Sequence, residues 1–231
     1  SEWASDELIY LDISRDDSYD LKRDDQGYPN RQTIFEIIED VSKAAFMPIT
    51  VGGRIRKLED IERRLSVGAD KVAFNTQAIE CPDFVSEAAR RFGSQCIVIS
   101  VDVKLIDGKY IVFTHGGQTE TRWVAGDWVH VLEQQGAGEI LINSMDRDGR
   151  HTGYDIPLLN LVSERVKIPV IALGGVGDWS HFSEALLQTK VDAVAAANIF
   201  HFVDQSVYLA KKHLYEQGLL VRPPDLMQIK P

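Results

Sequence analysis

The chain has 231 residues, of which 44% are hydrophobic and 26% are charged, an ordinary composition for a globular protein. Its formal net charge of −10 at pH 7 argues against a surface for nucleic acid or anionic lipid, because such surfaces need a basic patch. No apolar run approaches the roughly 20 residues of a membrane-spanning helix, so we expect no membrane association.

Short apolar runs alternate with amphipathic stretches along the chain. The runs cover residues 7–13, 47–51, 71–74, 96–102, 139–143, 169–173 and 192–197. Between them, helical patterns such as 57–68 and 83–93 end in glycine, a common helix stop. Near-continuous apolar strands alternating with helices are typical of βα units in a parallel sheet. The sequence therefore predicts seven such strands.

Two segments interrupt this alternation. Residues 14–32 are polar and charged and follow the first strand, where they could form either a lid or a solvated linker. Asp107-Gly108 lies between two alternating runs, which favours a hairpin with a type I′ turn. Because that hairpin follows strand 96–102 directly, we expect it to be an insertion of about residues 104–123 in the loop after this strand.

A strand that ends in a Gly-Gly pair occurs twice. The interval from Gly53 to Asp70 is 17 residues, and that from Gly175 to Asp192 is the same. In each copy a helix follows the glycines and the aspartate opens the next strand. Such self-similarity indicates a duplicated half of a fold rather than a solenoid of short repeats.

The duplication predicts a (β/α)8 barrel, an α/β fold that commonly fills a single domain of this length. The domain would span residues 1–231, with a first half of 1–94 and a second half of 95–231.

The Gly-Gly pairs have two interpretations. Glycine at the carboxyl end of a barrel strand lets a ligand approach the backbone, whose N–H groups can bind phosphate. Two such loops would form two phosphate sites that face each other across the barrel mouth, together with the loops Asn75-Thr76 and Ala197-Asn198. The alternative is that the glycines serve only tight turns.

Four stretches carry a family resemblance. They are "ITVGGRIRKLEDIERRLSVGADKVAFNT", "SVDVKLIDGKYIVFTHGG", "GAGEILINSMDRDGRHTGYD" and "IALGGVGDWSHFSEAL" with "VDAVAAANIFHF". In this order they resemble the cyclase subunit of imidazole glycerol phosphate synthase over almost the whole chain. The resemblance implies a phosphate-binding barrel, a glutaminase partner docked at its bottom as a heterodimer, and no cofactor. Ammonia would pass up the barrel to a bis-phosphorylated substrate, giving imidazole glycerol phosphate and an aminoimidazole carboxamide ribotide.

The resemblance also implies roles for individual residues. That family uses two aspartates as general acid and base, and Asp102 matches the second of them; a salt-bridged aspartate is the alternative. Asp12 would contact substrate or serve only the structure. The residues implied for phosphate binding are Gly52, Gly53, Asn75 and Thr76 at one site and Asp148, Gly149, Gly174, Gly175, Ala196 and Ala197 at the other. Asn143 is a further candidate for substrate binding.

Three charged residues at strand beginnings match the ammonia gate of this family. They are Glu7, Lys71 and Glu139. A ring of ordinary salt bridges is the alternative interpretation.

The chain departs from the family pattern in two places. "SEWAS" reads as the end of a helix, so we expect the first strand and most of the first helix to be absent, together with the first catalytic aspartate. The natural protein would then be longer at its N-terminus, or this chain would be damaged. Loop 14–32 is also longer than in cyclases of the histidine pathway.

Three alternatives to the cyclase therefore stay open. The first is a paralogous barrel that works with an amidotransferase to aminate sugars of surface polysaccharides. The second is the related isomerase that acts one step earlier in histidine synthesis. The third is a non-catalytic barrel that only binds the amidotransferase.

The two cysteines indicate a reducing compartment. Cys81 and Cys96 form no CxxC or Cys/His pattern, so we expect neither a disulfide nor a metal site. A cytoplasmic location fits this best.

Overall fold

The computed structural model describes residues 5–13, 33–201 and 206–224. The sequence does not decide whether loop 14–32 is a lid or a linker, and this loop lies outside the described residues.

Seven parallel strands form the sheet of a (β/α)8 barrel, as the sequence predicts. The parallel strands are β1 Leu8–Leu11, β2 Ile49–Gly52, β3 Lys71–Phe74, β4 Ile97–Ile106, β7 Glu139–Ser144, β8 Val170–Leu173 and β9 Ala193–Val194. They pair in the order β1-β2-β3-β4-β7-β8-β9. Within the described ranges β1 and β9 are the end strands, and they do not pair with each other.

At least one helix follows each parallel strand in the chain. They are α1 Ile34–Ala44, α2 Leu58–Ser66, α3 Thr76–Glu80, α4 Asp83–Phe92, α5 Ala125–Gln134, α6 Ile156–Ser163, α7 Trp179–Gln188 and α8 Ser206–Glu216. Side chains cap several of them: the Asp155 carboxylate accepts from Leu158 N at 3.2 Å, and that of Asp178 accepts from Ser180 N at 2.8 Å. None of the helices in the described part of the chain is long and apolar enough to span a bilayer.

The strands have two buried faces. Side chains alternate between the faces of a strand, so adjacent residues belong to different clusters. One face packs against the helices in a large core that includes Ile97 and Ile140. The other face carries a separate cluster built on Ala73, Val98 and Leu141 together with Ile171. This second cluster fills the inside of the barrel, midway between its two ends.

The aspartate that opens the next strand makes the same contact in both halves. The Asp70 carboxylate accepts a hydrogen bond from Ile49 N at 2.8 Å, and the Asp192 carboxylate accepts one from Val170 N at 2.9 Å. The backbone N–H of each aspartate donates to the carbonyl of the same strand residue, at 2.9 Å in both halves. Each aspartate thus satisfies the first residue of the preceding strand, which lies 21 residues before it in the first half and 22 in the second.

Strand β4 continues past the barrel into an antiparallel hairpin. It pairs with β5 Lys109–Thr114, which pairs in turn with β6 Thr119–Val124. The turn residues Asp107 and Gly108 have φ of 47° and 76°, so both have the positive φ that a type I′ turn requires. The insertion therefore has three strands, and β6 is an element that the sequence pattern did not predict.

Candidate active site

Asp102 lies at the carboxyl ends of the parallel strands, held between two amide side chains. Asn75 Nδ2 donates to Asp102 Oδ2 at 2.9 Å, and Asn143 Nδ2 donates to Asp102 Oδ1 at 3.0 Å. Asn143 is the direct register partner of Asp102 in the β4–β7 ladder, and Asn75 directly follows β3. Both carboxylate oxygens therefore accept a hydrogen bond from an amide, and no lysine or arginine of the described residues forms an ion pair with them.

Asn75 is held from a second side by the hairpin. Its Nδ2 also donates to the carbonyl of Phe113 on β5, at 2.9 Å. An amide nitrogen has two N–H groups, and both are now used by the protein. The side chain of Asn75 therefore has no donor left for phosphate, so a contribution of this residue to a phosphate site would come from its backbone.

Each of the two amides keeps an unpaired acceptor. Asn75 Oδ1 and Asn143 Oδ1 are buried and have no hydrogen-bond partner among the described residues. A buried polar atom without a partner costs about 1–3 kcal/mol, and such atoms are rare in native structures. The site therefore keeps an arrangement that packing alone would not favour.

The first Gly-Gly pair packs against the end of β1. Gly53 has φ of 90°, and a Cβ on it would collide with the carbonyl oxygen of Asp12. Asp12 N donates to Gly52 O at 3.0 Å. From the outer side, the buried Arg64 of α2 donates through Nη2 to Gly53 O at 2.7 Å. Close packing of the chain is thus sufficient to require glycine here, and Asp12 lies directly beside the loop.

The second Gly-Gly pair contacts the amide of Asn143. Gly174 has φ of 94°, and a Cβ on it would lie 2.7 Å from Asn143 Oδ1. A Cβ on Gly175 would collide with the carbonyl of Gly153, whose N–H donates to Gly175 O at 2.8 Å. Gly174 therefore leaves the space that the amide of Asn143 occupies beside Asp102.

The other predicted mouth residues lie at the same end of the barrel. Asp148 and Gly149 are exposed in the loop after β7, and Asp148 N donates to Ser144 O at 2.9 Å. Ala196 and Ala197 follow β9, the first half-buried and the second exposed. The Thr76 hydroxyl accepts from the backbone N–H of His115 at 3.0 Å, a second contact with the hairpin. Every residue predicted for substrate binding lies at the carboxyl end of a strand.

Three charged residues form a cluster at the opposite end. Lys71 Nζ donates to Glu139 Oε1 at 2.6 Å and to Glu7 Oε2 at 3.0 Å. Burial opposes the charge of Lys71, but the hydrogen bonds to Glu139 and Glu7 outweigh it and raise the pKa of Lys71. Glu139 Oε2 is buried without a partner in the described part of the chain. The structure thus brings the three predicted gate residues together, and this geometry fits both a gate and a set of ordinary salt bridges.

The inside of the barrel connects the two ends. Along β7 the residues of the inner face are Glu139, Leu141 and Asn143 in turn. Lys71 and Ala73 on β3, with Asn75 directly after it, repeat this order of a charged, an apolar and an amide residue. Four residues of strand span about 13 Å. The charged cluster and the amide-held carboxylate are therefore separated by a single apolar layer.

Sequence reasoning missed several residues of the site. Three contacts were not predicted. They are the hydrogen bonds of Asn75 to Phe113 O, of Arg64 to Gly53 O and of His115 N to the Thr76 hydroxyl. One signal was available, since a hairpin inserted after the strand of Asp102 must begin at the site. No group of three or more potential metal-ligating side chains occurs among the residues that the structure describes.

Comparison with known proteins identifies the family. The family model described as "Histidine biosynthesis protein" matches residues 24–206. The chain belongs to this family. It is also similar to the imidazole glycerol phosphate synthase subunit HisF of Halalkalibacterium halodurans, with 43% identity over 223 residues that cover 96% of this chain and 84% of the relative. The family resemblance that the sequence motifs carry is confirmed.

Proposed function

We propose that this chain is the cyclase subunit of an imidazole glycerol phosphate synthase of histidine biosynthesis. It would take ammonia from a glutaminase subunit and a bis-phosphorylated substrate, and release imidazole glycerol phosphate and an aminoimidazole carboxamide ribotide in the cytoplasm. One observation carries the proposal: an amide-held carboxylate at the mouth lies above a charged cluster at the bottom of the same barrel. The subunit name of the relative from Halalkalibacterium halodurans supports it.

Asp102 is the residue proposed for proton transfer. Its side chain is half-buried at the carboxyl end of β4, where active sites of barrel enzymes are built. Two amide donors satisfy the ionised carboxylate and leave its remaining lone pairs free to accept a proton from substrate. None of the ion pairs among the described residues includes Asp102, so no lysine or arginine occupies the remaining lone pairs of its carboxylate.

The two Gly-Gly loops are proposed to hold the two phosphates of the substrate. They lie on strands β2 and β8, which belong to different halves of the barrel. Backbone N–H groups at such loops bind phosphate without a cation, so the negative net charge of the chain is no obstacle. Asp148 would shape the second site or bind substrate hydroxyls, since its charge repels phosphate.

Ammonia is proposed to enter at the cluster of Glu7, Lys71 and Glu139. This cluster lies at the amino ends of the strands, on the face where the glutaminase would dock. Because its pKa is raised, Lys71 stays protonated at neutral pH and cannot compete with ammonia as a nucleophile. Between this cluster and Asp102, small and aliphatic side chains lie on the inner face of the barrel.

The first test is the substitution Asp102→Asn, assayed with the ribulosyl substrate and an ammonium salt so that no glutaminase is needed. Loss of a general acid or base lowers kcat by about 10²–10⁴-fold. Asp107→Asn is the matched control, because it makes the same chemical change in the exposed turn of the same β4 extension, where a type I′ turn accepts asparagine. Equal activities of the two variants would refute the role of Asp102.

The same assay separates the alternatives. A chain that binds the glutaminase but never turns over the ribulosyl substrate is a binding subunit or the sugar-amination paralogue. Amination of a nucleotide sugar in the presence of the partner enzymes distinguishes those two. Isomerisation of the preceding ribosyl intermediate without any need for ammonia would indicate the isomerase.

A further inference from the structure

We infer that Asn75 and Asn143 are positioning residues that fix the orientation of the Asp102 carboxylate for proton transfer. The inference rests on the proposed function and deepens it. It assigns to two side chains, which the family resemblance places among the substrate-binding residues, a task that they perform through Asp102.

The geometry restricts the carboxylate from both sides. Its two oxygens are held by donors on two different neighbours, Asn75 after β3 at 2.9 Å and Asn143 on β7 at 3.0 Å. Rotation about the bond to the carboxyl carbon would break both hydrogen bonds at once. The remaining lone pairs of Asp102 therefore keep a constant direction relative to the barrel mouth.

The two amides are themselves held in place. The second N–H of Asn75 is bound to Phe113 O on the hairpin, so this amide cannot turn over without losing two bonds. Asn143 is held by its place in the ladder opposite Asp102 and by the close approach of Gly174, where a Cβ would lie 2.7 Å from Asn143 Oδ1. Three strands and the hairpin thus contribute to the orientation of one carboxylate.

The unpaired acceptors show that the oxygen atoms of the two amides do not stabilise the site. Asn75 Oδ1 and Asn143 Oδ1 are buried without partners in the described part of the chain. A leucine of nearly the same shape would remove the unpaired amide oxygen, but it would also take the N–H donor away from Asp102 and, at position 75, from Phe113 O. The benefit of the amide at both positions lies in its N–H groups, and each of the two amides donates one of them to Asp102.

The test is a double-mutant cycle on the ammonia-dependent reaction of the intact protein. Asn143→Leu and Asn75→Leu are each made in the wild-type chain and in the Asp102→Asn variant. In the wild type, we expect kcat to fall by about 10- to 100-fold, because small misplacements of a catalytic group have effects of this size. KM should stay within about threefold, because the substituted side chains act in the transition state and not in ground-state binding.

In the Asp102→Asn background the same substitutions should change kcat by less than about threefold, since there is no carboxylate left to position. A merely structural defect would lower activity by the same factor in both backgrounds. Asn160→Leu on α6 is the control for the chemical change, and it should leave kcat unaltered in both.

Two results would overturn the inference while leaving the proposed function intact. One is that Asn143→Leu and Asn75→Leu lower kcat by the same factor in the Asp102→Asn variant as in the wild type. The other is an effect on KM alone, which would make these residues direct substrate contacts. Absence of turnover in the wild type would instead refute the proposed function.

In that last case the contact itself is still tested by thermal unfolding. The pairing of these residues would be supported if the melting temperature of the double variant differs from the value that the separate shifts of Asn143→Leu and Asp102→Asn add up to. Shifts that add would overturn it.

Discussion

At the residue scale, the glycines at the mouth separate into those required by packing and those required only by their backbone conformation. Gly175 has φ of 103°, and a Cβ there would collide with Gly153 O and lie 2.9 Å from Arg147 Cβ. Gly149 has φ of 71°, and a Cβ there would meet nothing within 4 Å. Both residues are assigned by resemblance to the same phosphate site, so they form a matched pair.

We expect Gly175→Ala to lower the free energy of unfolding by about 2–5 kcal/mol, from the strained φ and the overpacking together. Gly149→Ala should cost only about 1–2 kcal/mol, the penalty of a left-handed conformation. Urea denaturation of the two variants measures the difference. Equal costs would show that the close contact with Gly153 is not what requires glycine at position 175.

Contacts between side chains could not be predicted from the sequence. The ends of the apolar runs placed Asn75, Asp102 and Asn143 at the barrel mouth, because parallel strands share one carboxyl edge. Which of these side chains touch depends on the register of strands that are 27 and 41 residues apart in the chain. Apolar periodicity does not determine that register, so the amide-held carboxylate could be found only in the structure.

At the element scale, the parallel strands were predictable and the last strand of the insertion was not. The seven parallel strands are apolar on both faces, since helices cover one face and the barrel interior the other. Strand β6, Thr119–Val124, reads "TETRWV" and has exposed residues at half of its positions. It is formed by pairing with β5, and its sequence lacks the apolar run that marks a buried strand.

Helix α7 illustrates how an element begins at the site. It starts after the second Gly-Gly loop, where the Asp178 carboxylate accepts from Ser180 N at 2.8 Å and from the Ser180 hydroxyl at 2.6 Å. These hydrogen bonds lower the pKa of Asp178 below its ordinary value of 3.8. An N-cap of this kind fixes the direction in which the chain leaves the loop.

Replacing the cap should destabilise the protein in a pH-dependent way. We expect Asp178→Ala to cost about 1 kcal/mol at pH 7. Because the pKa of Asp178 is lower in the folded state, its stabilising effect is present above the unfolded value of 3.8 and is lost as the pH falls through the folded value. The difference in free energy of unfolding between wild type and variant, measured by urea denaturation, should therefore shrink as the pH falls below 3.8.

The control for this prediction is Asp127→Ala, which removes an exposed carboxylate from the first turn of α5 and breaks a surface ion pair with Arg165. Its cost should stay below about 0.5 kcal/mol. A difference for Asp178→Ala that persists unchanged at pH 3 would contradict the capping account.

At the scale of the whole molecule, the two halves share a backbone plan, and each contributes a glutamate to the charged cluster around Lys71. Leu8 N donates to Pro48 O at 3.0 Å, and the equivalent Ile140 N donates to Pro169 O at 2.9 Å. The residues before these strand positions are Glu7 and Glu139, and both bind Lys71. The division of the domain into halves 1–94 and 95–231 remains a prediction, but the repeated contacts support it.

The same end of the barrel carries an exposed aromatic residue. Phe46 lies in the connection between α1 and β2, at the amino ends of the strands, and is 91% exposed. A single exposed apolar side chain needs no special explanation, although aromatic residues are enriched among those that dominate protein interfaces. Its place at the edge that carries Lys71 is where the proposed glutaminase subunit would have to dock to deliver ammonia.

We therefore expect Phe46→Ser to weaken binding of the glutaminase subunit by about tenfold or more, the loss that follows from removing one well-buried aromatic anchor. Turnover with an ammonium salt should be unchanged, because the active site lies at the other end of the barrel. Leu105→Ser is the control, since Leu105 is also exposed and apolar but lies on the β4 extension at the opposite end. Calorimetric titration with the glutaminase measures both affinities. If the two substitutions weaken binding equally, Phe46 is not an anchor for the partner. Lower ammonium-dependent turnover of Phe46→Ser would show instead that the substitution disturbs the barrel itself.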